Sequence, residues 1–202
     1  LIINSYRFAL VATTTFNPSD KSANITLSGG NLTAENNTTT TFAIVRATTG
    51  KSSGKWYFEA TSDGIGAGSG AGIFGLVGSG VATSQYLSQS DGVGYFDTGT
   101  INRGGSTITS GLSHWKLATK NIQCAVDFDN DRVWFRRSGD NWNNSGSADP
   151  ASNVGGVDIS SLSATLYPGV SLYDNTTPDK ITINFGGAAF TGSIPSGFSA
   201  WG

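Results

Sequence analysis

Asp127-Phe128-Asp129-Asn130-Asp131-Arg132-Val133-Trp134-Phe135 decides how this chain folds. An apolar run leads into it, polar residues turn it, and a second run leaves with two consecutive large aromatics. Asn130 and Asp131 tolerate positive φ, as the two-residue loop of a tight hairpin requires. The segment therefore predicts two antiparallel strands.

The same grammar repeats on both sides. Short apolar or alternating runs, bounded by Gly, Asn, Asp or Ser, occur at 5–11, 23–27, 41–46, 55–60, 71–77, 92–96, 121–128, 132–136, 164–172 and 180–185. Short runs separated by turn signals predict a sandwich or barrel rather than alternating strands and helices. From Lys55 to Glu59 the period is two: Trp56 and Phe58 on one face, Lys55, Tyr57 and Glu59 on the other. Ile181, Ile183 and Phe185 alternate with Thr182 and Asn184 in the same way. Trp56, Phe58, Trp134, Phe135 and Phe185 read as core. No segment sustains a helical period for three turns.

At 202 residues the chain is long enough for one domain with a full core. Its 28 glycines, 13% charged residues and abundant Ser, Thr and Asn mark a turn-rich, neutral surface. A net charge of −2 argues against nucleic acid, which demands a basic stripe. No apolar run suits a membrane span, and no basic amphipathic segment suits a membrane surface. Cys124 is the one cysteine, so no disulfide framework exists, and its apolar neighbours make it a small buried hydrophobe. The chain starts at Leu1 and lacks methionine, as an excerpt or a processed form would.

Three polar patches interrupt the runs. Residues 36–41 read as an exposed loop or strand start, 64–72 as a bare hairpin loop with glycine at every second position, and 138–156 as a long surface connection.

Most candidate chemistry fails on its own physics. Gly70-Ala71-Gly72-Ile73-Phe74-Gly75 matches a dinucleotide fingerprint, but an apolar strand follows where a helix N-terminus must hold pyrophosphate. Asp127, Asp129 and Asp131 imitate the start of a calcium loop, yet Arg132 stands where the sharp turn demands Gly and Ser138 where a bidentate Glu belongs. His114, the one histidine, has no nucleophile elbow nearby. Glycoside hydrolysis needs two facing carboxylates, and Glu35 and Glu59 lie on separate segments. The Asn-x-Ser/Thr matches at Asn24, Asn31, Asn36, Asn37, Asn143 and Asn175 follow from composition. No catalytic residue, metal ligand or cofactor is expected.

Taken in order, the landmarks resemble the SPRY domain family. Gly54-Lys55-Trp56-Tyr57-Phe58-Glu59 is similar to its early strand, and Ile73-Phe74-Gly75-Leu76-Val77 to the glycine-containing strand that follows. Asp91-Gly92-Val93-Gly94-Tyr95-Phe96-Asp97 resembles its Gly-Tyr segment, and the Asp127 hairpin its Asp-Asn turn ending in Trp-Phe. Tyr167-Pro168-Gly169-Val170-Ser171-Leu172 and Asn184-Phe185-Gly186, with Phe190, Pro195, Gly197 and Phe198, resemble its closing strands. The resemblance implies an all-β, two-sheet antiparallel sandwich of the concanavalin A-like jelly-roll kind over residues 16–202. Residues 1–15 would then be an N-terminal strand or linker, pairing with a partner or the sandwich edge.

The family implies binding without catalysis, through side chains borne on loops. The candidates are the loop aromatics Tyr86, Trp115, Trp142 and Tyr173, since aromatics bring large contact area at little entropic cost. Low charge and the ending Gly197-Phe198-Ser199-Ala200-Trp201 look like modules of bacteriophage structural proteins. The expectation is a virion-borne module, of tail-fibre or receptor-binding type, that attaches to a host-surface glycan or protein. The alternatives are a capsid decoration or head-fibre domain whose partner is another virion protein, a polysaccharide-cleaving enzyme, and a cellular partner-binding domain. A homo-oligomer is compatible with all of these.

Overall fold

The computed structural model describes residues 13–36, 41–64, 72–116, 119–173 and 179–202. The strand expected at 5–11, most of the 64–72 glycine patch and residues 37–40 lie outside the described residues. So do Asn37 and Asn175.

Among the described residues, fifteen short strands run in chain order. They begin with β1 (Phe16–Lys21), β2 (Ile25–Ser28), β3 (Thr33–Asn36), β4 (Ala43–Ala47) and β5 (Lys55–Gly64). There follow β6 (Gly72–Val77), β7 (Gly92–Phe96), β8 (Ile101–Arg103), β9 (Ser106–Thr109) and β10 (Lys120–Asp127). The last five are β11 (Arg132–Arg137), β12 (Val157–Asp158), β13 (Tyr167–Leu172), β14 (Asp179–Asn184) and β15 (Ser199–Ala200). The only helical elements among the described residues are 3-10 turns at Trp142–Asn144 and Pro150–Ser152.

Two antiparallel sheets result. Sheet A has the order β1-β4-β13-β6-β7-β8-β9. Sheet B has the order β12-β11-β10-β5-β14-β3-β2. β5 is the axis of sheet B. β10 pairs it from Lys55 to Ser62 on one side. On the other side β14 covers its second half, and β15 lies parallel to it at Trp56 and Tyr57. All-β architecture in two layers is what the short alternating runs require.

The main core fills the space between the sheets. Phe58, Phe74, Phe135, Phe185 and Trp201 meet there, with ring centroids 5.1 Å apart for Phe58–Phe74 and 5.5 Å for Phe58–Trp201. Each such ring, fully buried, contributes about 1.5–3 kcal/mol relative to exposure. Cys124 is buried among them, and burial pushes its thiol pKa well up, so it acts as a small hydrophobe. Trp201 anchors the C-terminus by donating its indole N–H to the Thr49 carbonyl at 3.0 Å.

Two of the expected core residues differ from this pattern, although Trp56 still packs against the main core edge-on to Trp201. Trp56 is only partly buried, because it lies at the rim under the Lys51 ammonium, 3.8 Å from the ring centroid. Trp134 is fully buried but faces away from the main core, joining Tyr57, Ala125, Trp142 and Phe198 on the outer face of sheet B.

The β10–β11 hairpin also departs from expectation. Its turn spans four residues, Asp127 pairing with Arg132, and Asp131 alone takes positive φ, at 53°. The reason is Asp127. Its buried carboxylate accepts from the amides of Asp129 and Asn130, both at 3.1 Å, and from the Asn130 side chain at 2.8 Å. This Asx-type capping replaces the strained two-residue loop.

Candidate functional site

The outer face of sheet A carries a trough cut by glycine. The strand registers place Gly169 beside Gly75, and Gly75 beside Gly94, across β13, β6 and β7. A side chain at Gly75 would run into the Val93 carbonyl oxygen and stand 2.7 Å from Gly94 Cα. Leu87, from the connection 78–91, drops into this trough. A Cβ on Gly94 or on Gly169 would lie 3.2 Å from its methyl groups. Ile44, Ile73, Val77 and Val81 complete a small second core around Leu87. Glycine here creates space for a neighbour's side chain rather than freedom for its own backbone.

Polar anchors hold the connection down. Arg46, on β4 beside Gly169, is 1% exposed. Its Nε donates to the Gly78 carbonyl at 3.1 Å, its Nη2 to the Val81 carbonyl, and its Nη1 pairs with Asp20 at 2.6 Å. The Ile44 amide bonds the Thr83 carbonyl at 2.8 Å, and Asp91 accepts from the Ser163 amide and hydroxyl at 2.7 and 2.6 Å. The loop is thus a fixed part of the scaffold.

Its product is an aromatic patch. Tyr86, next to Leu87, packs on Phe42 with centroids 5.6 Å apart, and Phe42 packs on Tyr173 at 4.8 Å. Phe96 supports Tyr86 from behind at 6.4 Å. All four residues are half-buried, so each ring is held by the scaffold while part of its surface meets solvent. The rings are tilted against each other by 57° and 44° and make a notched surface rather than a flat platform. Tyr86 and Tyr173, far apart in sequence, are therefore brought together in one patch. Phe42 joins them; within the 41–46 run it had no mark to separate it from an ordinary strand residue.

The other two expected aromatics are corrected. Trp115 is fully buried in the main core, packed edge-on to Tyr95 at 6.2 Å. Trp142 is 7% exposed, folded onto the outer face of sheet B beneath the Arg136 guanidinium, 4.0 Å from the ring centroid. Polar sequence neighbours placed both on loops, but the rings turn inward from those loops. The 138–156 connection is likewise no simple surface loop. Asn143 within it is buried, and its amide accepts from Phe135 N at 2.8 Å while donating to the Gly155 carbonyl at 2.9 Å. Asn143 pairs with β11 as a strand neighbour would, so its amide is taken and is no glycan acceptor. Asn36 is fully buried too, bonded to the Leu172 carbonyl.

A polar network seals sheet B's outer face. The Glu59 carboxylate, 1% exposed, accepts from Tyr57 Oη at 2.5 Å, Asn121 Nδ2 at 3.1 Å, Thr191 N at 2.9 Å and Gly192 N at 2.6 Å. Burial, reinforced by the bond to Glu59, raises the Tyr57 phenol far above its ordinary range and keeps it a donor. Glu59 is therefore spent on structure. His114 is exposed, and its carbonyl accepts from Arg137 at 3.2 Å. Among the described residues no three acidic, His or Cys side chains converge as metal ligands; Asp129 instead accepts from Gly54 N at 2.8 Å.

No family model matches the sequence, and no curated protein matches it. Solved structures do. The SPRY domain of human HERC1 superposes with a TM-score of 0.66 at 19% identity, over 83% of this chain and 96% of that one. A second human SPRY domain gives 0.61 at 15% identity, over 85% of this chain and 100% of that one. The structure of stonustoxin gives 0.58 at 16%, over 85% of this chain and 27% of the toxin chain. At such identities the likeness is one of fold, and the fold of this chain is the SPRY, concanavalin A-like sandwich.

Proposed function

We propose that the chain is a non-catalytic recognition module of a bacteriophage virion, contacting a host-surface protein through the Phe42–Tyr86–Tyr173 patch. The observation that carries the reading is this patch: three clustered, half-buried rings from three segments, with Tyr86 on a connection pinned by a buried arginine. Rigid aromatics bind without paying for ordering, which is how interface hot spots work. Their mutual tilt suits the side chains of a protein partner better than stacking beneath a flat sugar ring. The phage setting is supported by the low charge and the Ser, Thr and Asn richness of the chain.

The test is attachment of the purified domain to host cells. Tyr86→Ala and Tyr173→Ala should each weaken it about tenfold or more, the scale of a hot-spot truncation. Thermal midpoints would establish that both variants remain folded. Undiminished attachment by two folded variants removes the patch from the interface. Attachment abolished by protease treatment of the cells supports a protein receptor; survival of attachment after that treatment points to a glycan.

A further inference from the structure

A cleft of about 280 Å³ opens beside the end of β11, and neither Tyr86 nor Tyr173 lines it. Apart from the edges of Tyr95 and Leu112, every residue lining it is polar or glycine. Two guanidiniums stand in it, Arg136 and Arg137, against the single carboxylate of Asp140. Arg136 also feels the buried Glu59 carboxylate, but Tyr57, Asn121, Thr191 and Gly192 occupy its oxygens, so within the cleft itself the two guanidiniums face only Asp140.

Arg136 is held ready. Its Nε donates to Gln123 Oε1 at 2.6 Å, and Gln123 is itself fixed by donating to Asn121 Oδ1 at 3.0 Å. Trp142 supports the guanidinium plane from one side at 4.0 Å. Nη1 and Nη2 make no hydrogen bond to any described residue, which leaves their four N–H donors unspent. A guanidinium fixed by stacking and by one Nε bond loses little entropy when its free edge meets a planar acid. Arg137 adds a second cation, tied to His114 O at 3.2 Å through Nη1 and within 3.3 Å of Asp140 Oδ2 through Nε. That carboxylate oxygen is buried in ion-pair contact but poorly aligned for a hydrogen bond. Asn141 and Asn144 are exposed at the rim, Asn144 with its Nδ2 donating to the Ser110 carbonyl at 3.4 Å and its Oδ1 left as an acceptor.

We propose that this cleft binds a carboxylate-bearing saccharide, the acid on the free edge of Arg136 and the ring hydroxyls on Asn141, Asn144 and Asp140. The polar walls favour a sugar over an acidic peptide, whose apolar side-chain carbons would find only Tyr95 and Leu112. The site shares no residue with the aromatic patch, so the two readings stand or fall separately.

The probe is glucuronate, titrated at millimolar concentration and followed by backbone amide chemical shifts. Shifts should centre on 136–144 and leave Tyr86 and Tyr173 unmoved. Arg136→Lys keeps the charge and much of the cover on Trp142 but loses the fork, and should weaken binding about tenfold. Arg136→Gln should abolish it. An unchanged thermal midpoint in Arg136→Lys shows the loss is one of recognition. Any of four results overturns the proposal: no shifts, galactose binding equally well, inorganic phosphate displacing glucuronate at equal concentration, or a glutamate-rich peptide binding where glucuronate does not. Binding undiminished in Arg136→Lys overturns the role of the fork.

Discussion

The two outer faces of the sandwich are both covered, but they are finished differently. On sheet A an apolar side chain, Leu87, fills a trough left by Gly75, Gly94 and Gly169, and the cover ends in rings that project partway into solvent. On sheet B the Trp134, Trp142 and Phe198 rings are buried beside a polar network centred on Glu59, whose carboxylate is fully satisfied. An apolar plug leaves its rim available for a partner. A saturated hydrogen-bond network leaves a quiet surface, except where a donor remains unspent, as at Arg136. Which face can bind follows from how each is closed, and not from how many aromatics it holds.

The comparison breaks most readily at the trough. Gly75→Ala puts a methyl into the Val93 carbonyl, where backbone must move, and should cost about 3 kcal/mol or more in denaturant unfolding. Gly80→Ala, in the connection that covers the trough but facing open space, should stay within about 0.5 kcal/mol. If the two variants unfold alike, the trough is not a packing device. Leu87→Ala comes next. Emptying the trough should cost about 2–4 kcal/mol and, by loosening Tyr86, weaken any partner bound at the patch. A stability loss with unchanged attachment would show that the loop positions nothing.

On sheet B, Glu59→Gln sets an amide donor against hydrogen-bond donors that the carboxylate now satisfies. The expected loss is about 2 kcal/mol. Hydrogen exchange supplies the sharper reading: the Thr191 and Gly192 amides, both bonded to Glu59, should lose protection before the strands do. Exchange there at the wild-type rate would mean that apolar contacts of Phe190 and Phe198 hold the cover instead.

The strands of both sheets were legible because period-two alternation needs no knowledge of the partner. Every run from 23–27 onward has a strand in the structure. β1, β3, β8, β9, β12 and β15 were missed, being short or edge segments too polar to alternate visibly. The glycine trough could not be read at all. Gly75, Gly94 and Gly169 become neighbours only through register, and register is a property of the assembled sheet. The same limit split the aromatics: Tyr86 and Tyr173 were named without the Phe42 that unites them. Trp115 and Trp142 were judged by polar sequence neighbours, whereas their cover comes from Tyr95 and Arg136, which lie elsewhere in the chain.

The smallest effect is expected at the hairpin that carries Trp134 and Arg136 into the quiet face. Burial alone would raise the Asp127 carboxyl pKa, but hydrogen bonds from Asn130 and the Lys55 ammonium at 3.1 Å outweigh it and hold it below its ordinary 3.8. A carboxyl that titrates lower when folded stabilises the fold fully above the unfolded value, and the stabilisation drains as pH falls through the folded one. Wild-type stability should therefore decline below about pH 4 partly on this account. Asp127→Asn keeps one acceptor and loses the charge, so it should cost about 1 kcal/mol at neutral pH and flatten the acid limb. Parallel acid limbs in the two proteins would assign that decline to other carboxylates, and the turn would then be held by backbone geometry alone. Since β11 delivers Arg136 to its cleft, a weakened turn that also reduced glucuronate binding would tie the hairpin to the site, whereas unchanged binding would confine it to stability.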